Sequence, residues 1–219
     1  QIVVRQNPRM ATSSPRLLVL HALRLSGFLS VEKLVHRTGL TEDQVTEVLT
    51  AAAAADEVKE RTGRISGWML MPAGREAHAA LLAEELAASG AKAEIERLDE
   101  KFVALNEPFK ALCTRWQIIG DPETGTPNDH SDAAYDQAVI ADLAAAHPGV
   151  LELCGELTAA LPRFGRYARD FDAALARVQA GDIKAFAAPM NESYHDAWME
   201  LHQDLLSTLA RERTAADGH

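Results

Sequence analysis

A chain of 219 residues, 47% hydrophobic and 25% charged, is long enough to close one large core or two small ones without a metal or disulfide staple. The composition is that of an ordinary globular protein and excludes wholesale disorder and collagen-like repetition. A formal net charge of −10 argues against a chain whose whole surface coats nucleic acid or anionic membrane.

Cys113 and Cys154 are too few for a disulfide framework or a four-cysteine zinc site, and no secretory signal precedes them, so a reducing cytoplasm is the expected setting. The longest apolar runs are short or interrupted by charge, which predicts no membrane span. Residues 1–13, with Arg5 and Arg9 and no helical apolar face, read as a mobile leader with a native start expected at Met10.

Ser14 followed by Pro15 is an N-cap with an N1 proline, and Leu17, Leu18, Leu20, His21, Leu25 and Phe28 recur at helical spacing, predicting a first helix that ends near Gly27. Ser30 caps a second short helix, broken at Thr38-Gly39-Leu40. Thr41 caps a third, with Val45, Val48, Leu49 and Ala52 on one side and Glu42, Asp43, Gln44, Thr46 and Glu47 mostly elsewhere. Residues 57–61 and 68–71 have strand character around turn residues at 62–64 and 66–67, predicting a two-stranded wing. Beyond Pro72 and Gly74 the helical period returns through Leu81, Leu82 and Leu86 to Gly90.

Three helices, a hairpin and a return helix resemble the winged-helix DNA-binding fold, in particular regulators of the multiple-antibiotic-resistance (MarR) and phenolic-acid-repressor (PadR) types. The resemblance covers about residues 14–89. It is carried above all by Gly67-Trp68-Met69-Leu70-Met71-Pro72-Ala73-Gly74-Arg75, where a second wing strand runs into Gly-Arg at the head of a helix. It implies double-stranded DNA as partner, with Thr41, Gln44 and Thr46 of the third helix in the major groove. That helix contains no lysine or arginine between Thr41 and Asp56, so backbone affinity must come from Arg16, Lys33, Arg37, Lys59, Arg61 and Arg64. Residues 1–89 carry ten basic and ten acidic residues, so this half is neutral and the entire −10 falls on the remainder.

The remaining 130 residues read as a helical bundle without a convincing strand. A long segment from Ala91 to about Ile119 is one helix or two, because Asn106-Glu107-Pro108 would end or kink it. Residues 120–130 are rich in turn formers and predict a long loop. Further helices are expected near 132–146, 149–161, 165–180 and 191–213. Trp116, Phe109, Tyr194 and Trp198 fall in two of these segments beside Asn106, Arg115, Gln117, His195 and His202, the composition of an effector pocket between helices. The competing reading is ordinary bundle core.

Glu192, His195 and His202 share one helix face, yet a single Glu-x-x-His is half of what a di-iron carboxylate bundle needs, so no metal and no cofactor is expected. Asp170 and Asp172, beside Arg166 and Arg169, read as a solvated ion-pair face. No phosphate loop, nucleophile elbow or His-Glu-x-x-His motif occurs, and an enzyme is not expected. The expectation is a mainly α protein: leader 1–13, winged helix-turn-helix 14–89 and helical bundle 90–219. It would act as a homodimeric, cytoplasmic transcriptional regulator whose acidic C-terminal domain dimerises or senses a small effector. The alternative is a winged-helix protein-interaction module or regulatory subunit that does not bind DNA.

Overall fold

A computed structural model describes residues 13–64 and 66–211. The leader expected over 1–13 lies, Ser13 apart, outside the described residues, as does the end of the helix expected to reach 213. The chain is mainly helical and divides into two compact units, one of residues 1–92 with 159–163, the other of 93–158 with 164–219.

The first unit opens with α1 (Pro15–Ser26), α2 (Val31–Thr38) and α3 (Glu42–Ala54). Each begins where a hydroxyl accepts an orphan backbone N–H: Ser14 from Leu17, Ser30 from Lys33, Thr41 from Gln44. Gly27 and Gly39 end the first two at positive φ, a conformation that costs glycine little. The strands β1 (Val58–Arg61) and β2 (Gly67–Leu70) pair antiparallel, Val58 opposite Leu70 and Arg61 opposite Gly67. Leu29 adds a single bridge to Trp68. A Cβ on Gly67 would sit 2.8 Å from Leu29 O, so this approach requires glycine. The helix α4 (Pro72–Ser89) follows, and Val19, Leu20, Leu23, Leu34, Val45, Leu49, Val58 and Leu70 form the shared core.

A buried polar series crosses this unit. Arg163 Nε donates to Glu85 Oε2 at 2.7 Å, and its NH1 lies 3.1 Å from His21 Nε2, while Ser13 donates to the other Glu85 oxygen. A guanidinium only donates, so His21 Nε2 accepts, and His21 Nδ1–H is left to donate to His78 Nε2 at 2.9 Å. The Arg163 and Glu85 side chains are 1% and 6% exposed, and each neutralises a charge the other could not leave buried alone.

The second unit contains α5 (Lys92–Gln117), α6 (Ala133–Ala160), a 3₁₀ turn (Pro162–Gly165, its start in the first unit), α7 (Arg166–Gln179), α8 (Lys184–Ala187) and α9 (Tyr194–Thr208). Of the two readings open for residues 91–119 the structure gives one helix, with Pro108 neither ending nor dividing α5. Three features differ from the sequence reading. Pro148 lies inside one 28-residue helix where two were expected. Both prolines are exposed, so the carbonyls they leave without an intrahelical partner can be hydrated, while Asn106, Phe109, His147 and Val150 anchor the helices on their buried faces. The loop at 120–130 is partly ordered as a two-residue ladder, β3 (Ile118–Ile119) with β4 (Thr126–Pro127). Asp121 Oδ1 accepts from the Glu123 and Thr124 amides in its turn. The short α8 was not anticipated.

Among the described residues α6 is the one helix long and apolar enough to cross a membrane by length and composition, its most apolar 18-residue stretch having a mean hydropathy of 1.3. Alanine supplies much of that hydropathy, while Asp136, Asp142, Glu152 and Glu156 interrupt the helix and Val139, Leu143, Leu153, Cys154 and Leu157 are buried in protein.

Three changes test this packing. A Cβ at Gly74 would fall 2.0 Å from Glu57 O, so Gly74→Ala should cost more than about 2 kcal/mol in urea unfolding, whereas Gly155→Ala, which meets nothing within 4 Å on an exposed helix face, should gain about 0.5–1 kcal/mol. Arg163→Met should lose about 3–5 kcal/mol by leaving the Glu85 carboxylate buried without its cation.

Candidate nucleic-acid interface

The cations expected to contact DNA fall into two groups. Lys33 on α2, Lys59 and Arg61 on β1, and Arg64 between β1 and β2 are exposed, and none of them holds an ion pair among the described residues. Arg16 differs: its guanidinium is paired with the Glu57 carboxylate, where α3 runs into β1. Arg37, near the end of α2, is half-buried.

The start of α3 is spent on its own construction. Thr41 Oγ1 accepts from Gln44 N at 3.2 Å, and Gln44 Oε1 accepts from Thr41 N at 3.0 Å, a capping box that fixes both side chains. Thr46 stays exposed, and its carbonyl accepts from the Thr50 hydroxyl at 2.8 Å. Glu42 and Asp43 lie in the first turn, where the positive end of the helix dipole favours carboxylates.

In the second unit, six of the nine expected effector-site residues come together and fill the space with one another. Phe109 stacks on Trp198 at 4.3 Å between ring centroids, with Tyr194 at 5.7 Å and His195 at 6.2 Å. Phe102, absent from the expected set, packs 4.9 Å from both Trp198 and His202. Trp198 Nε1–H donates to Asn106 Oδ1 at 2.9 Å, which satisfies both buried groups. Trp116 stands apart, stacked on Phe186 at 4.4 Å and tilted against His130. Arg115 is exposed and paired with Asp142 at 2.7 Å. Gln117 is exposed beside it.

Sequence reasoning missed His147 and the bonds that join it to Tyr194 and Asp172. The Asp172 carboxylate only accepts, so His147 Nε2–H donates to it at 2.9 Å, and Tyr194 OH meets the other ring nitrogen at 3.0 Å. Asp172 thus leaves the expected Arg166/Arg169 face, on which Arg166 pairs with Asp170 and Glu200. A carboxylate, imidazole and hydroxyl in series is the arrangement of nucleophilic catalysis. Here Tyr194 is fully buried, and burial pushes its phenol above the usual range, so the hydroxyl acts as a hydrogen-bonding core group. The partners lie 25 and 47 positions from His147, and no local motif joins them.

Among the described residues no group of three or more His, Cys, Asp or Glu side chains is placed to hold a metal ion. His195 and His202 lean on aromatic rings, and burial holds His195 below the ordinary imidazole range. No protein-family model, curated protein or solved structure matches this chain.

The two thiols share one chemistry. Burial pushes both Cys113 and Cys154 up to about 12. The thiolate fraction at pH 8 is then on the order of one in ten thousand. The native chain should leave both unlabelled by Ellman's reagent at pH 8 on the time scale in which guanidinium-unfolded chain reacts fully, and each should respond only as pH rises toward 12.

Proposed function

We propose that the first unit is a winged helix that binds double-stranded DNA, and that the protein is a transcriptional regulator whose acidic second unit dimerises or responds to an effector. One observation carries this reading. Lys33, Lys59, Arg61 and Arg64 are exposed and, among the described residues, hold no ion pair, in a unit whose three helices, hairpin and return helix follow the order of that fold. Exposed cations that hold no ion pair are what phosphate contact and counterion release require. The hairpin would present Arg61 and Arg64 to the backbone or minor groove while α3 approaches the major groove.

The placement of Thr41 and Gln44 shapes what α3 contributes. Both are engaged in the capping box, so base contact from this helix falls to Thr46 and to the Gln44 amide nitrogen, and the share of affinity from α2 and the wing rises. The acidic residues Glu42, Asp43 and Glu47 favour a second reading, in which α3 docks a basic protein surface and DNA is not a partner.

Polarisation binding to labelled duplex from the protein's own upstream region separates the two. The DNA reading expects binding that weakens steeply with salt, a loss of about 1–3 kcal/mol for Arg61→Ala with Arg64→Ala, and a salt slope shallower by about 1 per contact removed. Binding that is absent at low salt, or indifferent to salt and to both changes, would overturn it and favour the protein-docking reading.

A further inference from the structure

The described residues of the first unit enclose a groove of about 570 Å³ between the start of α1 and the outward side of α3. Its walls are largely apolar, from Pro15, Val48, Ala51, Ala52 and Ala55, and its polar groups include Gln44, Glu47, Glu57 and Arg16. A volume of this size accommodates a drug-sized molecule.

Glu57 gives the groove its chemistry. The side chain is nine-tenths buried, and Arg16 satisfies Oε1, but among the described residues nothing donates a hydrogen bond to the buried Oε2. A carboxylate oxygen left without a donor is costly, and whatever donates to it recovers that loss. The backbone on either side is fixed, with Glu57 N–H donating to Ala52 O at 2.9 Å and Met71 N–H donating to Glu57 O at 2.8 Å, so the residue that carries the carboxylate is anchored before any ligand arrives. Arg16 is the adjustable part: its side chain is half exposed and can swing to solvent. With Glu47 and Glu57 against a single arginine, the lining is net negative.

We infer that this groove binds a small organic cation, an amine or amidine on an apolar body, whose N–H groups complete the Glu57 carboxylate while its body lies against Val48, Ala51 and Pro15. Two parallel N–H donors on an amidinium would match the two carboxylate oxygens, displacing Arg16 from one and supplying the other. Binding of the cation does not rest on the DNA reading.

Three probes with one body and three charges test it by calorimetry on the full chain without DNA: biphenyl-4-carboxamidine, biphenyl-4-carboxamide and biphenyl-4-carboxylate. The amidine should bind at least tenfold more tightly than the amide, and the carboxylate should not bind. Glu57→Gln should erase the preference for the amidine. Arg16→Ala should tighten the amidine threefold or more, because it removes the competing cation. Ala51→Trp should block all binding by filling the groove, with circular dichroism confirming that each variant is folded. Equal binding of all three probes, preferential binding of the carboxylate, or a weaker amidine in Arg16→Ala would overturn the assignment. So would loss of amidine binding that tracks self-association at rising protein concentration, which would give the groove to a second copy of the chain.

Discussion

The peptide of Glu57 is gripped from both sides in the short span where α3 gives way to β1, its N–H by Ala52 O and its carbonyl by Met71 N–H. Helix, hairpin and the head of α4 therefore meet at one residue, and the angle at which the hairpin leaves α3 is set there. The carbonyl approaches α4 so closely that only glycine fits at position 74. The side chain then reaches the opposite way to Arg16 and ties in the start of α1. A neutral residue at this corner could supply the same backbone bonds. A carboxylate adds a link to α1, at the expense of one orphaned oxygen.

The second unit is organised differently. Its centre is a run of aromatic rings, with Phe102, Phe109 and Trp198 in contact and Tyr194 and Phe171 packed alongside. Large flat groups fill space efficiently only when their polar edges are satisfied, and Asn106, His147 and Asp204 provide for Trp198, Tyr194 and Tyr167 respectively. Such a core is specified by hydrogen bonds as much as by volume. On its outside, Arg97 and Lys101 of α5 meet Glu152 and Glu156 of α6, so part of the negative charge of this half is neutralised along one helix pair. The solvent-exposed members of that pair contribute little stability each.

The first unit was legible in the sequence because its signals are local. Ser14, Ser30 and Thr41 cap helices within three residues, Gly27 and Gly39 end the first two, and the turn residues at 62–64 and 66 separate the two strands. The second unit was read less well where a local rule met a tertiary one. Pro108 and Pro148 break helices in isolation, yet here the neighbouring turns bury Phe109, His147 and Val150 and the helix continues past each proline. The grouping of Phe109, Tyr194 and Trp198 followed from helical spacing, but whether such residues fill a core or line a cavity depends on their partners, and Phe102 closes the space. The chemistry at Glu57, Arg163 and His147 had no sequence signature, since their partners lie 41, 78 and 47 positions away.

The acidity at the start of α3, awkward for a helix next to DNA, has a local cause. Glu42 and Asp43 oppose the helix dipole, and Thr41 with Gln44 closes the capping box, so four consecutive residues are fixed by the need to begin a helix directly after Gly39 and Leu40. Glu47 and Glu57 have no such role, and both line the groove between α1 and α3. On the DNA reading their charge opposes the approach of phosphates. A cation held between them would lower that opposition without touching the duplex, and linkage then requires DNA to tighten the cation by the same factor. The sign of this coupling is fixed by charge alone: an organic cation favours the bound state, whereas a neutral molecule of the same shape leaves the electrostatic term unchanged. In such an arrangement the adverse charge of the reading helix becomes the element through which a ligand is felt, and Arg16, already seated on Glu57, performs a weaker version of the same neutralisation in the ligand-free chain.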